Sequence, residues 1–308
     1  MGANTRAAGA RKRNSKIEIL KSEILTFPWL IHGFSTRVGG CSAAYGGSSL
    51  NLGFTRDDTR ASVERNRQAF LRALVADPAP WTLVTQRQVH SDLIHYVSAA
   101  EPHPTGDGLI TDRPGLLLGV QTADCLPVLL VDGKRRAVGA FHAGWRGTLR
   151  RIVEKGVGEM RRQFGSRPAD LRAAIGPSIH SCCYQVGEEV RDQFHSQFAY
   201  AAELFREVRE SNPVHEKYPL LFLTARAPGH GPEEILLYLD LVAANTRQLI
   251  EAGVPVANIS ASPLCTSCRT GLLFSYRKEK GLVGRMLAVV GVRPPAKRGA
   301  KRGLSPAR

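Results

Sequence analysis

The chain has 308 residues, 43% of them hydrophobic and 22% charged, enough to bury a sizeable core in one domain. No unbroken apolar run approaches the roughly 20 residues of a membrane-spanning helix, which excludes that class. The formal net charge of +15 is unevenly spread: residues 1–16 and 293–308 hold eleven Lys and Arg and no acid, so the charge does not by itself define a nucleic-acid-binding domain.

Residues 1–16 read as a disordered basic tail, too short for an organellar transit peptide and without the apolar core of a signal peptide. Strands are expected over 17–25 and 31–35, and the Gly- and Ser-rich stretch 39–53 reads as a long loop. Asp57 to Val75 reads as a helix, whereas Leu83 to Val97, Leu116 to Thr122, Leu126 to Val131 and Ala137 to His142 read as strands of a buried sheet. Beyond Gly147 the period changes: Leu149, Ile152, Val153, Val157, Met160 and Phe164 recur at helical spacing, with Thr148 placed to cap the first turn. A strand near 170–176, helices over Glu188 to Phe198 and Glu234 to Glu251, and strands near 271–275 and 285–291 complete the order. A polar, Pro-containing stretch from Phe198 to Pro232 interrupts it. Residues 293–308 read as a second disordered basic tail, so the folded catalytic unit is expected over 17–292.

Three residues sit in polar words inside apolar runs: His90 in Gln88-Val89-His90, Cys125 in Thr122-Ala123-Asp124-Cys125, and His142 in Phe141-His142-Ala143-Gly144-Trp145-Arg146-Gly147. Two imidazoles and a thiolate form a donor set that suits zinc, and three protein ligands leave the fourth tetrahedral position open for chemistry. Their spacing matches no short metal loop, and each has an ordinary role open to it: a half-buried strand histidine, a small core cysteine, a histidine bonded beneath a turn. Arg146 beside a helix start and Arg37, close to Gly39 and Gly40, are candidate phosphate-binding groups.

Asp107, in a Gly-flanked loop, is the first choice for a general acid or for a hydrogen-bond acceptor to substrate. Asp124, next to Cys125, points to the opposite face if its segment stays extended. Asn51 in Ser49-Leu50-Asn51-Leu52-Gly53 offers a hydrogen bond to a ribose or base, or simply forms a turn. Cys265-Thr266-Ser267-Cys268 has C-x-x-C spacing and with Cys182 and Cys183 can in principle close a second zinc site. Adjacent cysteines chelate one ion poorly, so core packing or incidental thiols is the expectation. The six cysteines are too few and scattered for a disulfide scaffold, which points to a reducing, cytoplasmic setting.

The words around these residues resemble the YfiH-like family, whose members are also described as purine nucleoside phosphorylase, laccase domain-containing or polyphenol oxidase proteins. The likeness runs nearly end to end. Beyond the metal words it includes His32-Gly33-Phe34-Ser35-Thr36-Arg37, Asp107-Gly108-Leu109-Ile110-Thr111, Ile175-Gly176-Pro177-Ser178-Ile179, Cys183-Tyr184-Gln185-Val186-Gly187, Phe274-Ser275-Tyr276-Arg277 and Gly284-Arg285. The resemblance implies an α+β fold, a layered α/β sandwich with mixed β-sheets in a single domain, and a metal centre held by His90, Cys125 and His142. It also implies phosphorolysis of adenosine, inosine, guanosine and methylthioadenosine, and deamination of adenosine.

With phosphate held by Arg37 or Arg146, attack at the ribose anomeric carbon releases the base; hydrolytic attack at C6 of adenine releases ammonia. The expected partners are a purine nucleoside and phosphate, with no specific nucleic acid and no membrane. Other readings compete. A copper-dependent polyphenol oxidase, suggested by the family's oxidase description, wants an axial Met, and the three Met at 1, 160 and 286 lie outside the metal words. A metal-free thiol hydrolase has Cys125 as nucleophile and His90 or His142 as base. A peptidoglycan-precursor editing enzyme and a non-enzymatic binding protein complete the set.

Overall fold

The computed structural model describes residues 16–99, 104–209 and 235–295. All of the expected tails except residues 16 and 293–295, and most of the Phe198 to Pro232 stretch, lie outside the described residues.

Alternation along the strands sets the layers. In the Leu116–Thr122 strand, Leu116, Leu118 and Val120 enter one apolar cluster and Leu117 another. The Met286–Val292 strand divides the same way, Ala288 and Val290 to one side, Leu287 and Val289 to the other. Successive side chains of a strand face opposite ways, so a sheet built from these strands is covered on both faces. That sheet has five strands, in the order Ile19–Leu20, Leu30–Ser35, Met286–Val292, Leu116–Thr122, Thr82–Val84.

A second sheet of six strands runs Ile259–Ala261, Leu171–Ile175, Leu126–Asp132, Ala137–Ala143, Gly108–Thr111, Ile94–Tyr96. The inner faces of the two sheets meet where Leu118, Val120 and Val290 pack with Leu129, Val131, Val138 and Ala140. The Arg60–Leu74 helix covers the outside of the first sheet through Phe70, and the Ile152–Phe164 and Leu241–Glu251 helices cover the second through Val153, Val157, Met160, Ala244 and Leu249. Both large sheets are mixed. Thr82–Val84 runs parallel to Leu116–Thr122, and Ile94–Tyr96 parallel to Gly108–Thr111, among antiparallel neighbours. The layered α/β sandwich with mixed sheets is therefore the fold. A small third sheet joins Gln185–Val186, Ile235–Leu239 and Phe205–Arg209.

Several expected elements differ. Of 17–25 only Ile19–Leu20 is a strand, and within the expected loop 39–53 the segment Val38–Ser42 is one. Leu83 to Val97 is two strands with a loop between, and residues 271–275 are turn and coil. Glu234 to Glu251 is not one helix: Ile235–Leu239 pairs with Phe205–Arg209, and Asp240 then caps the Leu241–Glu251 helix by accepting from the Ala243 amide. Thr148 caps nothing. The helix Trp145–Leu149 begins at Gly144, and the chain breaks at left-handed Arg151 before Ile152–Phe164. Buried Thr148 instead accepts from Asn245 Nδ2 at 3.0 Å, docking the Leu241–Glu251 helix. No helix among the described residues is long and apolar enough to cross a membrane.

The Leu30–Ser35 strand also carries a titrating group. His32 is 7% exposed and accepts from the Ser22 amide at 3.0 Å; burial, with Lys21 beside it, holds its imidazole down at about 4. The unfolded chain therefore binds this proton first as the pH falls below the ordinary histidine value. Stability present at neutral pH drains away toward pH 4, by about 2 kcal/mol between pH 7 and pH 5. Urea unfolding at the two pH values should show this loss and show it abolished in His32→Gln; an unchanged pH dependence in that variant would assign it elsewhere.

Candidate active site

Asp107 is fully buried just ahead of the Gly108–Thr111 strand. Its carboxylate accepts from the amides of Val89 (3.2 Å), His90 (3.1 Å) and Ser91 (2.6 Å) and from the Ser91 hydroxyl (2.7 Å). Gathering three successive N–H groups onto one carboxylate curls the chain, and His90 sits at a left-handed φ of 58°. A further bond comes from His142, whose Nδ1 donates to Oδ1 at 2.8 Å and so leaves Nε2 for the site. Burial alone would push the Asp107 carboxyl up, yet the bonds from His142 and Ser91 hold it well below the usual carboxylate range.

The chain crosses between the two large sheets twice here. Residues 123–125 link Leu116–Thr122 to Leu126–Asp132, with Asp124 at a φ of 91° making the turn. The loop carrying His90 links Thr82–Val84 to Ile94–Tyr96 across the same seam, and His142 lies near the end of Ala137–Ala143, paired with Pro127. His90 Nε2 and Cys125 Sγ are 3.8 Å apart, and one ligand atom from each of His90, Cys125 and His142 lies within 4.8 Å of the others. Gly144 permits the approach: a Cβ there would stand 2.9 Å from His90 Cδ2 and 3.0 Å from Cys125 Sγ.

Burial alone would raise the Cys125 thiol, but His142 and His90 bring it down to about 6. Against the effect of burial, Cys125 and Asp107 raise His142 to about 9. A sulfur held negative between two imidazoles, with one imidazole oriented by a carboxylate, is a donor set that fits a single transition-metal ion, and His142 would give up its Nε2 proton to bind one.

The three residues open into a cleft of about 700 Å³, the size of a small-molecule site. Arg146, Arg277 and Arg285 line it, each lying over an aromatic ring: Trp145 at 4.3 Å, Tyr184 at 5.3 Å and Tyr276 at 5.8 Å. Gln86 adds a side-chain amide whose Nε2 and Oε1 are both buried without a protein partner.

Of the residues picked out in the sequence, His90, Cys125, His142 and Arg146 meet in this cleft. Arg37 does not: Glu279 at 2.9 Å, the carbonyls of Thr270 and Tyr45, and the Phe274 ring engage its guanidinium beside a different cleft. Asn51 is fully buried and serves its own loop, donating to Asp58 and accepting from the Gly53 and Arg285 amides. Asp107, expected as general acid or as hydrogen-bond acceptor to substrate, does not line the cleft; its carboxylate is taken up by Val89, His90, Ser91 and His142 behind it. Asp124 does line it, since its turn departs from extended backbone, and it accepts from Thr266 Oγ1 at 2.6 Å and the Arg277 amide at 2.7 Å. Tyr184, Arg277 and Arg285 stood inside recognisable sequence words without an assigned role; Gln86 carried no signal. Four of the five other cysteines, Cys182, Cys183, Cys265 and Cys268, are unpaired and converge instead of scattering.

The sandwich of two mixed sheets, with His90, Cys125 and His142 gathered at their seam, is the architecture of a YfiH-like protein. The chain belongs to the family described as multi-copper polyphenol oxidoreductase laccase, which matches residues 31–293. It is 34% identical over 284 residues to the purine nucleoside phosphorylase YlmD of Geobacillus stearothermophilus, covering 86% of this chain and 94% of that protein. An adenosine deaminase from an unknown prokaryotic organism is 39% identical over 172 residues, 56% of each chain. The crystal structure of the Bacillus licheniformis hypothetical protein YfiH superposes with a TM-score of 0.72 at 34% identity, covering 86% of this chain and 93% of that one.

Replacing Asp107 by Asn removes the charge that orients both histidines and leaves an amide N–H facing N–H donors. Metal affinity should fall roughly 10- to 100-fold, measured by competition with a chromogenic chelator; affinity within twofold of the parent would show that Asp107 does not position the ligands.

Proposed function

We propose that the protein is a zinc-dependent purine nucleoside phosphorylase that also deaminates adenosine. The observation that carries this reading is the three-ligand Cys–His group opening into a cleft with three aromatic-backed arginines. The relatives named for phosphorolysis and deamination of purine nucleosides support it. His90, Cys125 and His142 hold the ion, which supplies Lewis acidity to the bound substrate.

The rest falls to the chain itself. Arg146, Arg277 and Arg285 bind phosphate, each oriented by the ring beneath it, and the buried amide of Gln86 offers a donor and an acceptor to the edge of a purine. Tyr184 is half-buried beside Cys125, and burial first, then the sulfur, pushes its phenol above the ordinary value. It keeps its proton and serves as a hydrogen-bond donor to the leaving base. In phosphorolysis a phosphate oxygen bonds to the anomeric carbon as the C–N bond to the base breaks; in deamination water replaces the C6 amino group and ammonia leaves. Adenosine, inosine, guanosine and methylthioadenosine all share the purine and ribose that these groups address, and a cytoplasmic setting suits six unpaired cysteines.

The copper polyphenol oxidase reading is weaker, because Met160 and Met286 are buried in separate apolar clusters. A second reading has its own observation: Asp107, His142 and Cys125 are arranged as acid, base and nucleophile, the order a thiol hydrolase needs.

Incubation of protein of known metal content with adenosine, analysed by mass spectrometry, separates these. The expected result is adenine with ribose 1-phosphate when phosphate is present and inosine when it is not, both lost in Cys125→Ala. Full turnover in Cys125→Ala would refute the metal and thiol schemes together; turnover that survives complete metal removal would leave only the thiol scheme.

A further inference from the structure

Outside the cleft, a second set of soft ligands stands together. Sγ atoms of Cys182, Cys183, Cys265 and Cys268 all lie within 4.8 Å of one another. Three of the separations are 3.7 Å (Cys182 to Cys183), 3.7 Å (Cys182 to Cys268) and 3.4 Å (Cys183 to Cys268). A tetrahedron of sulfurs each about 2.3 Å from a central zinc has edges of roughly 3.8 Å, whereas a disulfide brings its two sulfurs to about 2.05 Å. The spacings match the tetrahedron, and all four cysteines are unpaired. They also leave room for one ion and not for a multi-iron cluster.

The objection that adjacent cysteines cannot share an ion holds for extended chain, where neighbouring side chains diverge. Cys182 and Cys183 are not extended. They lie in a tight turn in which the amides of Cys183 and Tyr184 both donate to the His180 carbonyl at 2.9 Å. The Cys265–Cys268 turn is pinned beside it: Ser178 bridges Cys265 in parallel register, and the Thr266 amide donates to the Ser178 carbonyl at 2.9 Å.

We infer that Cys182, Cys183, Cys265 and Cys268 bind one zinc ion as a closed tetrahedral site distinct from the His90, Cys125, His142 group. Four protein ligands leave no open position, so the site is structural. Its place in the fold says what it holds. Cys183 precedes Tyr184 in the cleft wall, and Thr266, between the two other ligands, donates to Asp124 beside Cys125. The ion staples together two turns that share one wall of the active cleft, and four thiol protons leave when it binds.

Metal analysis of His90→Ala/Cys125→Ala tests the site without reference to the proposed reaction. That variant, purified from zinc-supplemented medium, should retain one zinc per chain, and adding Cys182→Ser and Cys268→Ser should reduce it to none. In the unmutated protein, zinc should protect all four thiols from alkylation, mapped by mass spectrometry, a readout that does not depend on any variant folding. A folded His90→Ala/Cys125→Ala protein with no zinc, equal alkylation of these cysteines with and without zinc, or a Cys182–Cys268 disulfide in the purified protein would each overturn the assignment.

Discussion

The carboxylate of Asp107 is the constraint on which the site depends. A single ionised group, shut away from water, collects the amides of Val89, His90 and Ser91, the Ser91 hydroxyl and the His142 imidazole. A buried carboxylate left short of partners would cost several kcal/mol, so five donors arranged around it both stabilise the charge and fix the geometry of whatever carries them. Two of those carriers are ligands of the candidate metal centre. His90 is placed through its backbone and His142 through its ring, and the same bond that orients His142 decides which nitrogen faces Cys125. Asp107 thus bears on the proposed chemistry only through the two histidines, and it does not line the cleft.

The sandwich explains why such a group can exist at this spot. Two sheets share an inner core, and the chain must pass from one to the other; it does so at residues 123–125 and through the loop holding His90. Those crossings are short, bent and polar inside a rigid apolar frame, so ligands mounted on them are held by packing on either side. Gly144 keeps the backbone of the third segment out of the way. The arginines come from a wider set of segments, and stacking on Trp145, Tyr184 and Tyr276 limits their freedom before any anion arrives.

Much of this was legible in the sequence, and the failures have physical causes. The strands at 116–122, 126–132 and 137–143 announced themselves as apolar runs bounded by turns, and the ligands by polar words within or beside them. The segment 83–97 looked like one strand because its side-chain pattern carries no sign that a distant carboxylate captures its amides. Residues 235–239, Ile-Leu-Leu-Tyr-Leu, suit helix or strand equally, and partners far away in sequence chose strand. Arg37 and Asn51 carried motif-like surroundings, yet their polar atoms are engaged by Glu279, Asp58 and backbone groups that only the fold brings near. The four-cysteine cluster was not legible because adjacent cysteines chelate one ion poorly in general, and only the fold shows that Cys182 and Cys183 lie in a turn beside Cys265 and Cys268.

Anomalous diffraction from crystals of the unmutated protein, recorded above and below the zinc absorption edge, tests the central claim most directly. The account requires a zinc peak at bonding distance from His90 Nε2, Cys125 Sγ and His142 Nε2, with Asp107 bonded to His142 Nδ1. No peak there in protein shown to contain zinc, or an ion ligated by the Asp107 carboxylate itself, would contradict it.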